Sequence, residues 1–172
     1  MLTSMGPIRM RLFPREALGT TLNFARLATQ GATLEDGRRR ARFYDGLTFH
    51  RVIQGFMVQG GCPQGNGLGS PGYNLPAEFA ERPVKDQLKH VPGRVSMARA
   101  GHNDSAGCQF FICVGEPSHL DGQYTVFGEV TRGLDVVRAI AGAETASDAE
   151  RSRPRETIRI VSVRLAPAPT RS

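Results

Sequence analysis

Residues Phe49–Gly61 read FHRVIQGFMVQGG, and they set Arg51 and Gln59 in an apolar run that includes Phe56, Met57 and Val58. The pattern marks two strand pieces, Phe49–Ile53 and Phe56–Gln59, separated by Gly55, where a bulge or bend is expected. Side chains on a strand alternate between faces, so Arg51, Met57 and Gln59 share one parity. Phe56 has the other parity and joins them only if the chain bulges near Gly55. A long cation is rarely fully buried without a partner, so Arg51 needs an internal acceptor or a substrate that supplies one. About fifty residues on, Gln109-Phe-Phe-Ile112 repeats the theme: Gln109, Phe111 and Cys113 share a face, while Phe110 and Ile112 point to the core. Together the strands predict a pocket with apolar walls (Phe56, Met57, Phe111), two amides (Gln59, Gln109) and one fixed cation, Arg51. That is the make-up of a small-ligand or peptide site. On these residues alone, Arg51 fits equally well as a cation paired to a carboxylate on a neighbouring strand, and Phe56 and Met57 fit ordinary core packing.

Working outward, Ile8–Leu12 alternates apolar and charged residues and reads as a strand with one solvated face. Thr20 or Thr21 suits the N-cap of a helix whose apolar stripe is Leu22, Phe24, Ala25, Leu27 and Ala28, with Gly31 as its stop. Ala32–Arg42 reads as a polar loop. Gly60–Gly72, with six glycines and two prolines, is a long loop of the sort that carries function. Strands are expected at Gly93–Arg99, Gln109–Val114 and Thr125–Val130. A second helix covers Leu134–Ile140, and a last strand covers Thr157–Leu165 before a frayed tail at 166–172. His50 is expected to turn away from Arg51 into a structural hydrogen bond. His90 and His102 read as surface-loop residues, and Asp121-Gly122 as a turn. Many short antiparallel strands with two helices predict one mainly β domain, closed or nearly closed into a barrel that removes exposed edges.

At 172 residues the chain suffices for a single domain with a real core, and 40% apolar with 22% charged residues is ordinary for a globular protein. No run approaches the roughly 18 apolar residues of a membrane span, and the start of the chain lacks the apolar region of a signal peptide. A cytoplasmic location is therefore expected. Three cysteines, Cys62, Cys108 and Cys113, are odd in number and lack CxxC spacing, which fits a reducing compartment rather than a disulfide framework. The four histidines stand apart, with no HxxxH or HExxH, so neither a metal nor a cofactor is expected. The net charge of +6 raises nucleic-acid binding, but the basic run at Arg38–Arg42 has no interleaved aromatic residue and reads as a solvated loop.

Six stretches in order carry a resemblance: Thr48-Phe-His-Arg-Val-Ile, Gly55-Phe-Met-Val-Gln-Gly-Gly, Ser96-Met-Ala-Arg-Ala-Gly, Gln109-Phe-Phe-Ile, Leu120-Asp-Gly and Val126-Phe-Gly. The chain resembles the cyclophilins, the cyclosporin-binding class of peptidyl-prolyl cis-trans isomerases, from about Ile8 to Leu165. The resemblance implies a closed antiparallel eight-stranded β-barrel capped by two α-helices, and rotation of X–Pro bonds in client proteins without a cofactor. It implies that Arg51 stabilises the twisted amide and that Phe56, Met57, Phe111 and Leu120 hold the proline ring. It further implies that Gln59 orients Arg51, that Ala98, the Arg99 backbone and Gln109 hold the peptide main chain, and that His119 and Tyr124 stand at the rim. The chain has no Trp, and His119 stands near a position where relatives often carry one, which implies weak cyclosporin binding with the isomerase machinery kept. Tyr124 replaces a frequent His, Arg99 a frequent Asn, and Cys62 a common acidic residue; the long Ala32–Arg42 loop resembles bacterial members. A monomer is expected. The competing functional reading is a proline-peptide binding scaffold or chaperone with incidental turnover, which would have no need of Arg51.

Overall fold

The computed structural model describes residues 1–34, 36–79, 88–146 and 152–167. Within them the strands are β1 (Leu2–Thr3), β2 (Gly6–Pro7), β3 (Arg9–Leu12), β4 (Ala32–Thr33), β5 (Arg39–Arg40), β6 (Phe49–Ile53), β7 (Met57–Gly60), β8 (Arg94–Met97), β9 (Phe110–Cys113), β10 (Val126–Arg132) and β11 (Ile160–Ser162). The helices are α1 (Leu18–Gln30) and α2 (Leu134–Ala141). Strands pair as a six-stranded antiparallel sheet, β3-β10-β8-β9-β7-β6, a three-stranded sheet, β11-β1-β2, and the hairpin β4-β5. The barrel anticipated from the strand pattern thus registers as three sheets. Backbone bonds run on past the named strands: Phe49 N–H donates to Ile158 O (3.0 Å) and Ile160 N–H to Leu47 O (2.7 Å), joining the edge at β6 to the chain around β11.

Two local devices fix the β6–β7 hairpin. At its tip, Phe56 N–H donates to Ile53 O (3.1 Å) around a turn whose third residue, Gly55, has φ +73. Only glycine takes that conformation freely. Gly115 packs so tightly on the same turn that a Cβ there would lie 2.0 Å from Gly55 O. At the other end the register changes from Arg51↔Gln59 to Phe49↔Gly60, which makes His50 the extra residue of a bulge. Of the bulge or bend expected at Gly55, the bend is what forms, as a turn; the bulge sits at His50. Without the extra residue Phe49 and Arg51 would share a face. With it, Phe49 enters the core beside Phe110, ring centroids 6.3 Å apart, and Arg51 stands with Gln59.

The core joins Phe24 of α1 to Tyr44, Phe49, Phe110, Ile112 and Phe127, all buried. Phe24 stacks on Tyr44 at 4.7 Å and meets Phe110 edge-on at 5.7 Å. The α1 stripe differs from the expected one: Leu22 is 59% exposed, and Asn23 is buried instead. Leu22 lies two residues from Phe24, some 200° around a helix of 3.6 residues per turn, so both cannot face the sheet. Asn23 repays its burial by donating from Nδ2 to Gly107 O (2.8 Å) and accepting from the Tyr73 hydroxyl.

Helix α1 also starts earlier than either threonine. Its cap residue, Ala17, has no side-chain acceptor. The carboxylate of Glu78 takes over, accepting the Gly19 N–H at 2.9 Å and the Thr20 N–H at 2.8 Å. The polar segment Ala32–Arg42 folds back as β4–β5, with Glu35 outside the described residues. Three of its four arginines are engaged locally: Arg38 pairs with Asp36, Arg39 donates to Gln30 O, and Arg40 donates to Phe43 O and Asp45 O. The last strand is shorter than Thr157–Leu165, because burial alternates through Ile158 and Ile160 and then shifts parity to Val163. Of the expected tail, residues 168–172 lie outside the described residues.

His50 is 8% exposed; neither ring nitrogen makes a well-formed hydrogen bond among the described residues, and its polar neighbours are the Thr48 backbone and the Gln109 side chain. Burial pushes its pKa from 6.5 down to about 4, helped by Arg153 and Arg51 and offset in part by the Thr48 backbone and the Gln109 side chain. Two measurements follow from these contacts. Glu78→Ala removes a helix cap, and denaturant unfolding is expected to show a loss of about 1–2 kcal/mol. Between pH 6.5 and about 4 the unfolded chain takes up a proton on His50 that the folded chain refuses. Stability therefore falls with pH across that window by about 1.4 kcal/mol per unit from this group, and His50→Gln is expected to remove that share of the slope in urea titrations at pH 5 and 6.

Candidate active site

Strand register assembles the centre of the site. Arg51 pairs with Gln59 across β6–β7, Gln59 with Phe111 across β7–β9, and Phe111 with Ser96 across β9–β8. Four side chains thus stand in one row over four strands, with neighbouring Cβ atoms about 4.5–5.5 Å apart. The next row on that face is Ile53, Met57 and Cys113. Met57 (2% exposed), Phe111 (4%) and Cys113 form a buried cluster separate from the main core, and Phe56, Ala98, Leu120 and Tyr124 pack against it. Phe56 reaches this face because it belongs to the Gly55 turn and not to the regular strand.

The amides form a chain. Gln59 Nε2 donates to Gln109 Oε1 (3.1 Å), and Gln109 Nε2 donates to Gly67 O (2.9 Å) and Gly69 O (3.0 Å). Gln109 therefore ties the row to the glycine-rich loop. Cys62 Sγ holds the same loop, accepting the Gly67 and Gly69 N–H groups at 3.3 Å each. The backbone of Gln109 is engaged too, its carbonyl accepting the Ala98 N–H at 2.9 Å.

At the rim, His119 lies in a 3-10 turn, Ser118–Leu120, with its ring 5.9 Å from Phe56. Tyr124 meets Phe111 edge-on at 5.7 Å. The side chain of Arg99 turns away from this cluster: its guanidinium lies 4.6 Å over Tyr124 and donates to Gln123 O (2.9 Å) and Ala100 O (3.0 Å). All the other residues expected at the site converge on the face of β6, β7 and β9 or on its rim. A shallow open recess lined by Glu16, Glu78, Phe79, Leu88, Tyr124 and Val126 lies beyond Tyr124 and does not include Arg51.

Sequence reasoning missed His90. Far from a surface loop, it is 1% exposed, stacked on Phe111 at 5.8 Å, with Nδ1 2.9 Å from Asp121 Oδ1 and Nε2 3.1 Å from Ser96 Oγ. No local pattern announces this, since the carboxylate that holds it is 31 residues away. His102 is exposed as expected and caps its own turn by accepting the Asp104 N–H. The three thiols are buried and unpaired with one another. Burial pushes the Cys113 pKa up to about 12 and that of Cys108 higher still, which removes both as nucleophiles. What the face offers is an apolar floor, a graded row of amide donors and acceptors, and one guanidinium: equipment for binding and electrostatics.

Comparison with known proteins gives the same answer. The family model for cyclophilin type peptidyl-prolyl cis-trans isomerases matches residues 1–165. A peptidyl-prolyl cis-trans isomerase of Synechococcus elongatus is 44% identical over 144 residues, 83% of this chain and 87% of that protein. Peptidyl-prolyl cis-trans isomerase B of Streptomyces anulatus is 42% identical over 167 residues, 94% and 91% of the two chains. A Cryptosporidium parvum cyclophilin type isomerase, crystallised in the presence of the dipeptide Ala-Pro, superposes with a TM-score of 0.79 at 27% identity, covering 94% of each chain. With fold, residue pattern and relatives in agreement, the chain belongs to the cyclophilin-type peptidyl-prolyl cis-trans isomerases.

Proposed function

We propose that the row Arg51–Gln59–Phe111 is the catalytic face of a single isomerase domain, with the proline ring seated on Phe56, Met57, Phe111 and Leu120. The peptide main chain runs past Ala98, the Arg99 backbone and Gln109, and His119 and Tyr124 border its path. The observation that carries this reading is the register, which sets a half-buried guanidinium beside an apolar floor closed by Met57 and Phe111. A structural relative solved in the presence of Ala-Pro supports a proline peptide as the ligand.

The chemistry asks for little else. The peptide C–N bond resists rotation by roughly 18–20 kcal/mol because of its resonance, and an X–Pro bond left alone takes tens to hundreds of seconds. Raising a rate of about 0.01 s⁻¹ to about 10² s⁻¹ requires about 5.5 kcal/mol. When the amide twists, resonance is lost and the nitrogen lone pair becomes basic, so a guanidinium held beside it donates a hydrogen bond absent from the planar ground state. Interactions that exist only in the transition state are the ones that accelerate. One preorganised donor of this kind supplies about 2.7–4 kcal/mol, which leaves the remainder to holding the ring fixed while the acyl half turns and to the dry floor. Arginine suits the task because it stays charged and presents a rigid fork of donors, and Gln59 across the hairpin keeps that fork oriented.

The same reading treats the backbone bonds between β6 and the chain near β11 as the seam of a closed barrel. It places the protein as a cytoplasmic monomer acting on unfolded or folded clients; no helix among the described residues is long and apolar enough to cross a membrane. The local partners of Arg38, Arg39 and Arg40 support a structural task for the basic run over nucleic-acid binding.

Arg51→Ala is expected to lower kcat on X–Pro peptides by about 10²–10³ while peptide affinity by calorimetry stays within a few-fold. A folded variant that keeps full turnover sinks the assignment of Arg51. At the rim, His119→Trp enlarges the apolar face next to Phe56 and adds an N–H donor, so cyclosporin is expected to inhibit the variant at lower concentration than the parent. Equal inhibition would show that another contact limits drug binding.

A further inference from the structure

Beneath the proposed proline seat lies a buried polar clamp that the isomerase reading does not use. The His90 ring is parallel to Phe111 within 15° and perpendicular to Tyr124, with centroids 5.8 and 6.5 Å away. Asp121 Oδ1 accepts from two groups of the same residue, the His90 N–H at 2.7 Å and the ring Nδ1 at 2.9 Å, while Nε2 lies 3.1 Å from Ser96 Oγ. An ionised carboxylate only accepts, so Nδ1 carries the hydrogen and Nε2 of the neutral ring accepts from the Ser96 hydroxyl. Burial lowers the His90 pKa against the raising pull of Asp121, which is consistent with that neutral form.

A ring held at both nitrogens has a fixed plane, and an aromatic neighbour stacked on it inherits the angle. A Leu or Phe at this place would fill the same volume and leave the plane free. The clamp also reaches the catalytic row by a second route, because Ser96 is the cross-strand partner of Phe111. We infer that His90, gripped by Asp121 and Ser96, is a positioning residue that sets the angles of Phe111 and Tyr124 and so aims the bound proline at Arg51. The inference rests on the isomerase reading above and adds to it a polar anchor outside the substrate pocket.

The test uses two variants of the full chain, His90→Phe, which keeps a stacked ring, and Asp121→Ala, whose side chain is part exposed and leaves the core intact. Each is expected to lower kcat about tenfold with KM changed less than about threefold, because misaiming a bound group costs rate more than affinity. Phe111 ring signals in aromatic NMR are expected to shift or broaden in both. The double variant is expected to lose no more than the worse single one, since the two residues act as one clamp. Should His90→Phe fail to fold, Asp121→Ala with its Phe111 signals decides the matter. Parental kcat and unmoved Phe111 signals in a folded variant, next to an inactive Arg51→Ala, overturn the clamp alone. Full turnover in Arg51→Ala overturns the isomerase assignment of Arg51 and the clamp with it.

Discussion

The register of the β6–β7 hairpin is the constraint on which the rest of the molecule depends. Side chains in a strand repeat every two residues, so a slip of one would exchange the two faces of β6 entirely. The turn at Gly55 pins one end and the bulge at His50 pins the other. Between them Arg51, Gln59 and, through β9, Phe111 fall into one row, while Phe49 and Phe110 fall into the core. Gly115, with no room for a Cβ against Gly55 O, extends the same restriction to the chain leaving β9. Backbone geometry thus aligns the guanidinium with the apolar floor.

Placing a cation against a dry wall would be costly if charge were free to accumulate there. Many of the described arginines are locally satisfied. Arg11 and Arg94 share Glu129 on the outer face of β10, and Arg164 pairs with Asp45. Arg39 and Arg40 are bound to carbonyls, and Arg99 is sandwiched over Tyr124 while donating to the backbone. Exposed pairs of this sort contribute only about 0–1 kcal/mol apiece, and the Glu129 pairs simply join β3, β10 and β8 across the sheet. A guanidinium beside an apolar floor is different in kind, because a low local dielectric strengthens whatever hydrogen bond it makes to a polarised amide.

What the sequence disclosed and what it hid divide along chain separation. Alternation within β6, β7 and β9 identified the faces of Arg51, Met57, Gln59, Phe111, Phe110 and Ile112, because each rests on neighbours one or two residues away. The position of Gly55 revealed a bend but not its kind, and the bulge had no signature at His50. Helix α1 began before its threonines because its cap is a carboxylate some sixty positions downstream, which no local rule can find. His90 stood in an unremarkable polar stretch, and only the fold brings Asp121, Ser96 and Phe111 around it. Leu22 is apolar but sits some 200° around the helix from Phe24, so helical angle, not hydrophobicity, decides its exposure.

The two buried histidines show how differently the fold treats a polar ring on each side of the site. His90 has both nitrogens engaged and packs between aromatic neighbours, so its burial is compensated and its orientation defined. His50 is buried without a well-formed bond and held neutral, in the very residue that creates the bulge. Its burial carries a desolvation cost, relieved in part by the Thr48 backbone and the Gln109 side chain, that an apolar residue there would avoid. A regular strand, however, would turn Arg51 to the same side as Phe49 and into the core. The bulge residue and the displayed arginine are consecutive in sequence because the extra residue is what turns Arg51 from the side of Phe49, and the regular pairing is broken in this chain where the site needs it broken.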